Sequence, residues 1–404
     1  MLRSLAGFVL CATAIVWASV AQAENWPRWR GADGMGHASA EKLPVKWTAD
    51  DVAWKVDLPG EGQSSPVVWE DRIFLTSSQK DGKERCVFCL DRKTGKLLWQ
   101  QCMPSPGAEP LHKMNTWASA TCATDGERVV AFFGLGGLHC FDMDGKKLWS
   151  RDLGVFEGPW GTAASPVIVG DLVVQNCDAD DSAYLLAVNK ETGEDVWRTE
   201  RPTYRGWSTP ILSEVNGAKQ LVINGHVGIA AYDPETGKEL WTQVGSSGRG
   251  TPSVVKSGEL FIAVCGRPGD MVAANPFQPA KGLEAWRVKR SGGRDLSSPI
   301  VVGDYLFVMN MTGIGTCYDA QSGELLWIER IGGNFSASPI ESQGLIYLPA
   351  EDGSVLVLKP GKTLDVVAQN SVGAGGEEMF RASLTPHNGQ LLLRSNNALY
   401  CIGK

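Results

Sequence analysis

From residue 50 onward the chain is built of short runs in which apolar and polar residues alternate, the pattern of half-buried β-strands. Tryptophan punctuates them at Trp54, Trp99, Trp149, Trp197, Trp241, Trp286 and Trp327, at intervals of 41 to 50 residues. Most are preceded by one cassette, which reads Cys89-Leu90-Asp91-Arg92-Lys93-Thr94-Gly95-Lys96-Leu97-Leu98 before Trp99. It returns with Asn189, Thr192 and Gly193 before Trp197, with Asp233, Thr236 and Gly237 before Trp241, and with Asp319, Ser322 and Gly323 before Trp327. A shorter copy carries Asp142 and Gly145 before Trp149, and the copy ending at Trp286 has lost its turn residues around Asn275 and gained an insertion. Asp or Asn opens a hairpin turn by bonding its own backbone, and Gly takes the left-handed conformation that side chains resist.

A second signal lies upstream of each tryptophan, a Ser/Thr-Pro step followed by a β-branched run. It occurs at Ser65-Pro66, Ser165-Pro166, Thr209-Pro210, Thr251-Pro252, Ser298-Pro299 and Ser338-Pro339, with weaker cognates at Ala120-Thr121 and Ser383-Leu384. A further strand lies between the two signals, so each unit holds about four strands in about 45 residues, the period of a propeller blade. Eight starts predict an all-β, eight-bladed β-propeller. The last copy ends at Leu399-Tyr400-Cys401-Ile402 without a hairpin, whereas Val52-Ala53-Trp54-Lys55-Val56 stands unpaired at the other end. The N-terminal strand is therefore expected to complete the eighth blade and leave no open sheet edge. Blade seven keeps the pattern loosely, with Leu364–Ala368 in place of its tryptophan strand.

Ahead of the repeats, Leu5–Val20 is apolar after Arg3, and Ala21-Gln22-Ala23 has the small-x-small form of a cleavage site. The expected organisation is a signal peptide over 1–23, an N-terminal extension over 24–44 and one propeller domain over 45–404. Such a chain is exported, periplasmic or extracellular, with no transmembrane helix after cleavage. Charge adds one exclusion. With 38 Lys and Arg against 45 Asp and Glu the net charge is −7, which disfavours a nucleic-acid partner. Nine of ten cysteines lie beyond the leader, an odd number, so at least one stays free or pairs between molecules. Cys89, Cys140, Cys317 and Cys401 share a cassette slot with Ala187 and Ala231, which marks a crowded inner-strand site and buried thiols. Cys86 and Cys89 are expected to be structural.

Blades with this Thr-Gly-Lys/Glu-x-x-Trp signature resemble the PQQ-type propeller repeat of quinoprotein alcohol dehydrogenases and BamB-like outer-membrane assembly propellers. Asn25-Trp26-Pro27-Arg28-Trp29-Arg30-Gly31 resembles the mature start of exported members. Function is carried by sites placed on folds, so the repeat implies an architecture before an activity.

Residues just before the Ser/Thr-Pro steps should face the funnel at one mouth. Three positions before the proline or its cognate the blades offer Gln63, Ala118, Ala163, Trp207, Arg249, Leu296, Ser336 and Arg381, and just before these come Trp117, Asp295, Phe335, Phe380, Arg205 and Arg294. Gln63, Trp117, Arg205, Trp207, Arg249, Arg294 and Arg381 are thus the candidate ligand-binding set, because Arg pairs with carboxylates in a fork and stacks on aromatic faces. The leading expectation is a monomeric, non-catalytic scaffold with no cofactor, presenting its faces to protein partners in the cell envelope. The alternative is a PQQ-dependent oxidoreductase with calcium, in which Asp295 is the candidate base and Asp178, Asp180 and Asp181 the candidate metal ligands. Against it stand the absence of adjacent cysteines and of a recognisable set of calcium-binding acids on the rim. Carbohydrate binding through Trp117, Trp160 and Trp207 is a third option.

Overall fold

A computed structural model describes residues 25–38, 42–245, 248–267, 269–290 and 294–403. The leader expected over 1–23, with Cys11, lies outside the described residues. Eight four-stranded antiparallel sheets form the molecule, and its only helical segments among the described residues are three short turns. None is long and apolar enough to cross a membrane. Seven sheets are simple meanders, for example Val167–Val169, Leu172–Asn176, Tyr184–Asn189 and Asp195–Glu200. The eighth joins the two ends of the chain, with Val52–Asp57 paired to Ala398–Ile402 and Trp54 opposite Cys401. The ring closes as the orphan strand predicted.

The same register recurs around the ring. Trp99 lies opposite Cys89, Trp149 opposite Cys140, Trp197 opposite Ala187, Trp241 opposite Ala231, Trp286 opposite Ala273 and Trp327 opposite Cys317. The slot takes Ala or Cys because an indole stands directly across it, where side chains are closest. Blade seven exchanges the sizes and pairs Val357 with Ala368.

Each indole then couples its blade to the next. The side chain of Trp149 covers Gly193 of the following turn, where φ is +75° and an added Cβ would lie 2.8 Å from the ring. Its N–H donates to the Lys190 carbonyl at 2.8 Å. Trp99 bonds Met143, Trp197 bonds Pro234 and Trp327 bonds Gly361 in the same manner. Trp54 covers Gly95, so the closing strand also staples blade eight to blade one. Where the blade-five cassette is lost, Trp241 bonds Gln220 of its own blade instead.

At the axis a second device links the blades. Ser65, Thr121, Ser165, Thr209, Ser253, Ser298, Ser338 and Ser383 form a continuous ring, each backbone N–H donating to the next hydroxyl at 2.9–3.1 Å and Ser383 returning to Ser65. This locates the blade-five start two residues beyond Thr251, at Ser253. It also places Ser119, not Ala118, on the axis side in blade two, where Ala118 is buried.

The nine cysteines beyond the leader comprise one disulfide and seven buried thiols. Cys86 bonds Cys102, its neighbour in register on the adjoining strand. Burial pushes the Cys89, Cys122 and Cys140 thiols up to about 12, which keeps them protonated and unreactive.

Candidate functional site: a plugged central lumen

The segment 25–38, which carries the Trp-Pro-Arg-Trp-Arg motif, crosses one end of the central channel. Trp26 pairs with Val68, Pro27 accepts from the Thr124 N–H, and Ala38 donates to Glu341. Arg28 donates to the Pro210 carbonyl at 3.1 Å and Arg30 to that of Pro299 at 2.8 Å. The segment thereby ties five blades together. Burial pulls both guanidinium pKa values down to about 10, with Asp33 acting in the opposite direction. Trp29 projects from this strap into the channel and floors a cavity of about 230 Å³.

The hydroxyl ring, except for Ser253, forms the waist of that cavity, and Gln63, Ser119, Ala163, Trp207, Thr251, Leu296, Ser336 and Arg381 line it one step nearer the open mouth. His112, Met114, Trp160, Arg249, Arg294 and Met311 complete the mouth. The Arg249 guanidinium lies 4.4 Å from the centre of the Trp160 ring, and His112 lies 4.9 Å from it. Among the described residues the buried Nε of Arg249 has no hydrogen-bond partner. Its pKa is lowered by burial and then by Arg267, Arg205 and, more weakly, Arg294. That of His112 is likewise lowered by burial, Lys113, Arg294, Arg249 and Arg381. Positive charge therefore converges on the opening of an acidic protein. Arg381 is offset by Glu351 at 3.1 Å, and Glu351 also accepts from the Ser336 hydroxyl. Among the described residues neither Arg249 nor Arg294 has an acidic partner.

Five of the expected residues meet at the lumen: Gln63, Trp207, Arg249, Arg294 and Arg381. The others are placed elsewhere. Trp117 turns into blade one, where its N–H donates to the Glu109 carbonyl at 2.9 Å and its ring faces Arg85. Arg205 sits behind Trp160, ion-paired to Asp180. Asp295 is fully buried against Arg290 and does not line the mouth. Burial raises its pKa while Arg290 opposes the rise. Adjacent residues on extended chain point to opposite sides, so a base one position from Leu296 faces away from the axis. Asp178 is chelated by Arg201 at 3.0 and 3.3 Å, Asp180 is taken by Arg205, and Asp181 is exposed. Among the described residues no cluster of His, Cys, Asp and Glu is arranged to hold a metal. Sequence reasoning missed Trp29, His112, Met114 and Met311 as lumen residues. Trp29 lay in a motif noted only for its likeness, and His112 and Met114 lie in a connection with no repeat signal.

An eight-bladed propeller of PQQ-type repeats, plugged at one end and cationic at the other, is the class of protein these features define. The chain belongs to the family described as outer membrane protein assembly factor BamB, whose model matches residues 38–153, 83–275 and 269–365. It is 22% identical to the outer membrane protein assembly factor BamB of Burkholderia pseudomallei, over 78% of this chain and 87% of that protein. It is 25% identical to a quinoprotein ethanol dehydrogenase of Pseudomonas aeruginosa over 73% of this chain, but spans only 46% of that enzyme. The fold matches BamB from Moraxella catarrhalis with a TM-score of 0.63 at 17% identity, over 87% of this chain and 97% of that one. It matches quinohemoprotein alcohol dehydrogenase from Comamonas testosteroni with a TM-score of 0.63 at 14% identity, over 94% of this chain and 81% of that one.

Proposed function

We propose that this chain is an exported, non-catalytic propeller that acts in the cell envelope by presenting its open face to a protein partner. The observation that carries this reading is the lumen wall, on which none of the residues is Asp or Glu. A calcium-bound pyrroloquinoline quinone does not fit there. Calcium takes six to eight oxygen ligands, carboxylates prominent among them, and the wall supplies no carboxylate. The acid nearest to a base role, Asp295, is committed to Arg290. Coverage points the same way, since the chain spans most of a BamB and less than half of the ethanol dehydrogenase.

The test is to mix purified protein with the quinone, Ca²⁺ and ethanol and follow dye-linked oxidation. No turnover above the protein-free control is expected. Calcium-dependent turnover that disappears in Arg249→Ala would overturn the reading.

A further inference from the structure

We propose that the lumen is a receptor for a small, flexible organic anion carrying two or three carboxylates, held without a metal ion. This goes beyond the partner reading and does not rest on it. The first observation is the direction of the hydrogen bonds in the axial ring. Each hydroxyl accepts a backbone N–H from the preceding blade, which uses its oxygen and leaves its hydrogen. Ser253 spends that hydrogen on the Thr209 carbonyl at 3.0 Å. The other seven hydroxyls have no protein acceptor among the described residues. All seven are at least nine-tenths buried, and all seven border the cavity. A hydroxyl carries one donor and two lone pairs, so this waist offers hydrogens to whatever occupies the channel.

The second observation is independent of the ring. Among the described residues, Arg249 and Arg294 reach the mouth with no acid to neutralise them, and the Arg249 Nε is buried and unpaired. A buried donor left in that state is destabilising, more so when charged, and an entering carboxylate oxygen relieves it. None of the 25 wall residues is acidic in a chain with 45 Asp and Glu among 404 residues. An anion entering this lumen therefore meets donors from mouth to waist, and the carboxylate behind the wall, that of Glu351, is paired with Arg381.

Size and shape narrow the ligand. A cavity of about 230 Å³ is smaller than the several hundred Å³ that encloses a drug-sized molecule, and Trp29 closes its far end. Trp160 already carries Arg249 and His112 within 5 Å of its ring centre, which leaves little face for a flat polycycle to stack on. Leu296 and Met311 supply apolar wall between the cationic mouth and the neutral waist. A short aliphatic chain with acids at both ends meets all three zones. One carboxylate takes the arginine forks, the methylenes face Leu296 and Met311, and the second carboxylate accepts from ring hydroxyls.

Trp29, Trp160 and Trp207 border the cavity, so intrinsic fluorescence reports on its contents. Citrate and succinate are titrated into the full mature protein in the presence of EDTA, with inorganic phosphate, chloride and pyrroloquinoline quinone as separate arms. Saturable quenching by citrate is expected, weakened at least tenfold in Arg249→Ala/Arg294→Ala and less in Arg294→Ala alone. Arg294 is exposed and bonds nothing with its side chain among the described residues, so its variant keeps the fold and serves as the second readout. Added salt should weaken the binding. Three outcomes would overturn the proposal: no saturable response, equal affinity in all variants, or a response to phosphate and chloride as strong as to citrate. Binding confined to quinone plus Ca²⁺ would overturn both this proposal and the non-catalytic reading, whereas absence of citrate binding alone leaves the latter standing.

Discussion

The joint between blades makes a quantitative demand at Gly193. Substitution to Ala imposes two costs there. At φ +75° an L side chain is strained by about 1–2 kcal/mol. The new Cβ would also lie 2.8–3.1 Å from three atoms of Trp149, whose buried indole is fixed by its bond to Lys190 and cannot retreat. Overpacking of this kind costs about 1–3 kcal/mol more. Gly193→Ala is therefore expected to destabilise by about 2–5 kcal/mol. The same blade provides the control. Gly170 has φ +58° and nothing within 4 Å of its absent Cβ, so Gly170→Ala carries only the backbone strain. Urea unfolding followed by tryptophan fluorescence and by far-UV circular dichroism measures both variants. Equal midpoints for the two would refute the claim that each indole locks the next turn.

Three other outcomes follow from individual groups. Cys86–Cys102 closes a loop of sequence separation 16, so reduction or Cys102→Ser should cost about 3 kcal/mol, read as a lowered unfolding midpoint. The seven buried thiols should react with a thiol reagent only after unfolding. His139 bonds the Gly136 carbonyl and the Ser150 hydroxyl, and burial pulls its pKa to about 4 from 6.5. Its unfolded form binds protons first as pH falls, so the stability it contributes is complete above about pH 7 and is lost between 6.5 and 4. The loss is about 1.4 kcal/mol at pH 5.5, and His139→Gln should flatten that part of the pH profile.

The fold was legible because the information is repeated. Asp or Asn, Gly and Trp at fixed spacing encode a turn and the indole that covers it, and the unpaired strand around Trp54 identified how the ring closes. Half-conserved copies misled by one or two residues. The Thr251-Pro252 step imitates a blade start, yet Ser253 supplies the ring hydroxyl, because the paired strand Val255–Ser257 begins two residues later after its step than in the other blades. On extended backbone a one-residue shift exchanges inside for outside, which is why Ser119 replaces Ala118, and Asp295, next to the lining Leu296, faces Arg290 rather than the axis. The binding wall was legible only in part. Gln63, Trp207, Arg249, Arg294 and Arg381 follow from the repeat, whereas Trp29 reaches the lumen through contacts with blades far along the chain. The Cys86–Cys102 bond depends on a cross-strand register that includes a bulge after Cys89, and no spacing rule anticipates it.

Closure of the ring underlies every statement about the lumen, and native-state hydrogen exchange tests it directly. Amides paired between Val52–Asp57 and Ala398–Ile402 are expected to exchange as slowly as those paired between Tyr184–Asn189 and Asp195–Glu200 in an uninterrupted blade. Rapid exchange across Val52–Asp57, with the inner blades still protected, would mean that the terminal strand does not seal the eighth blade.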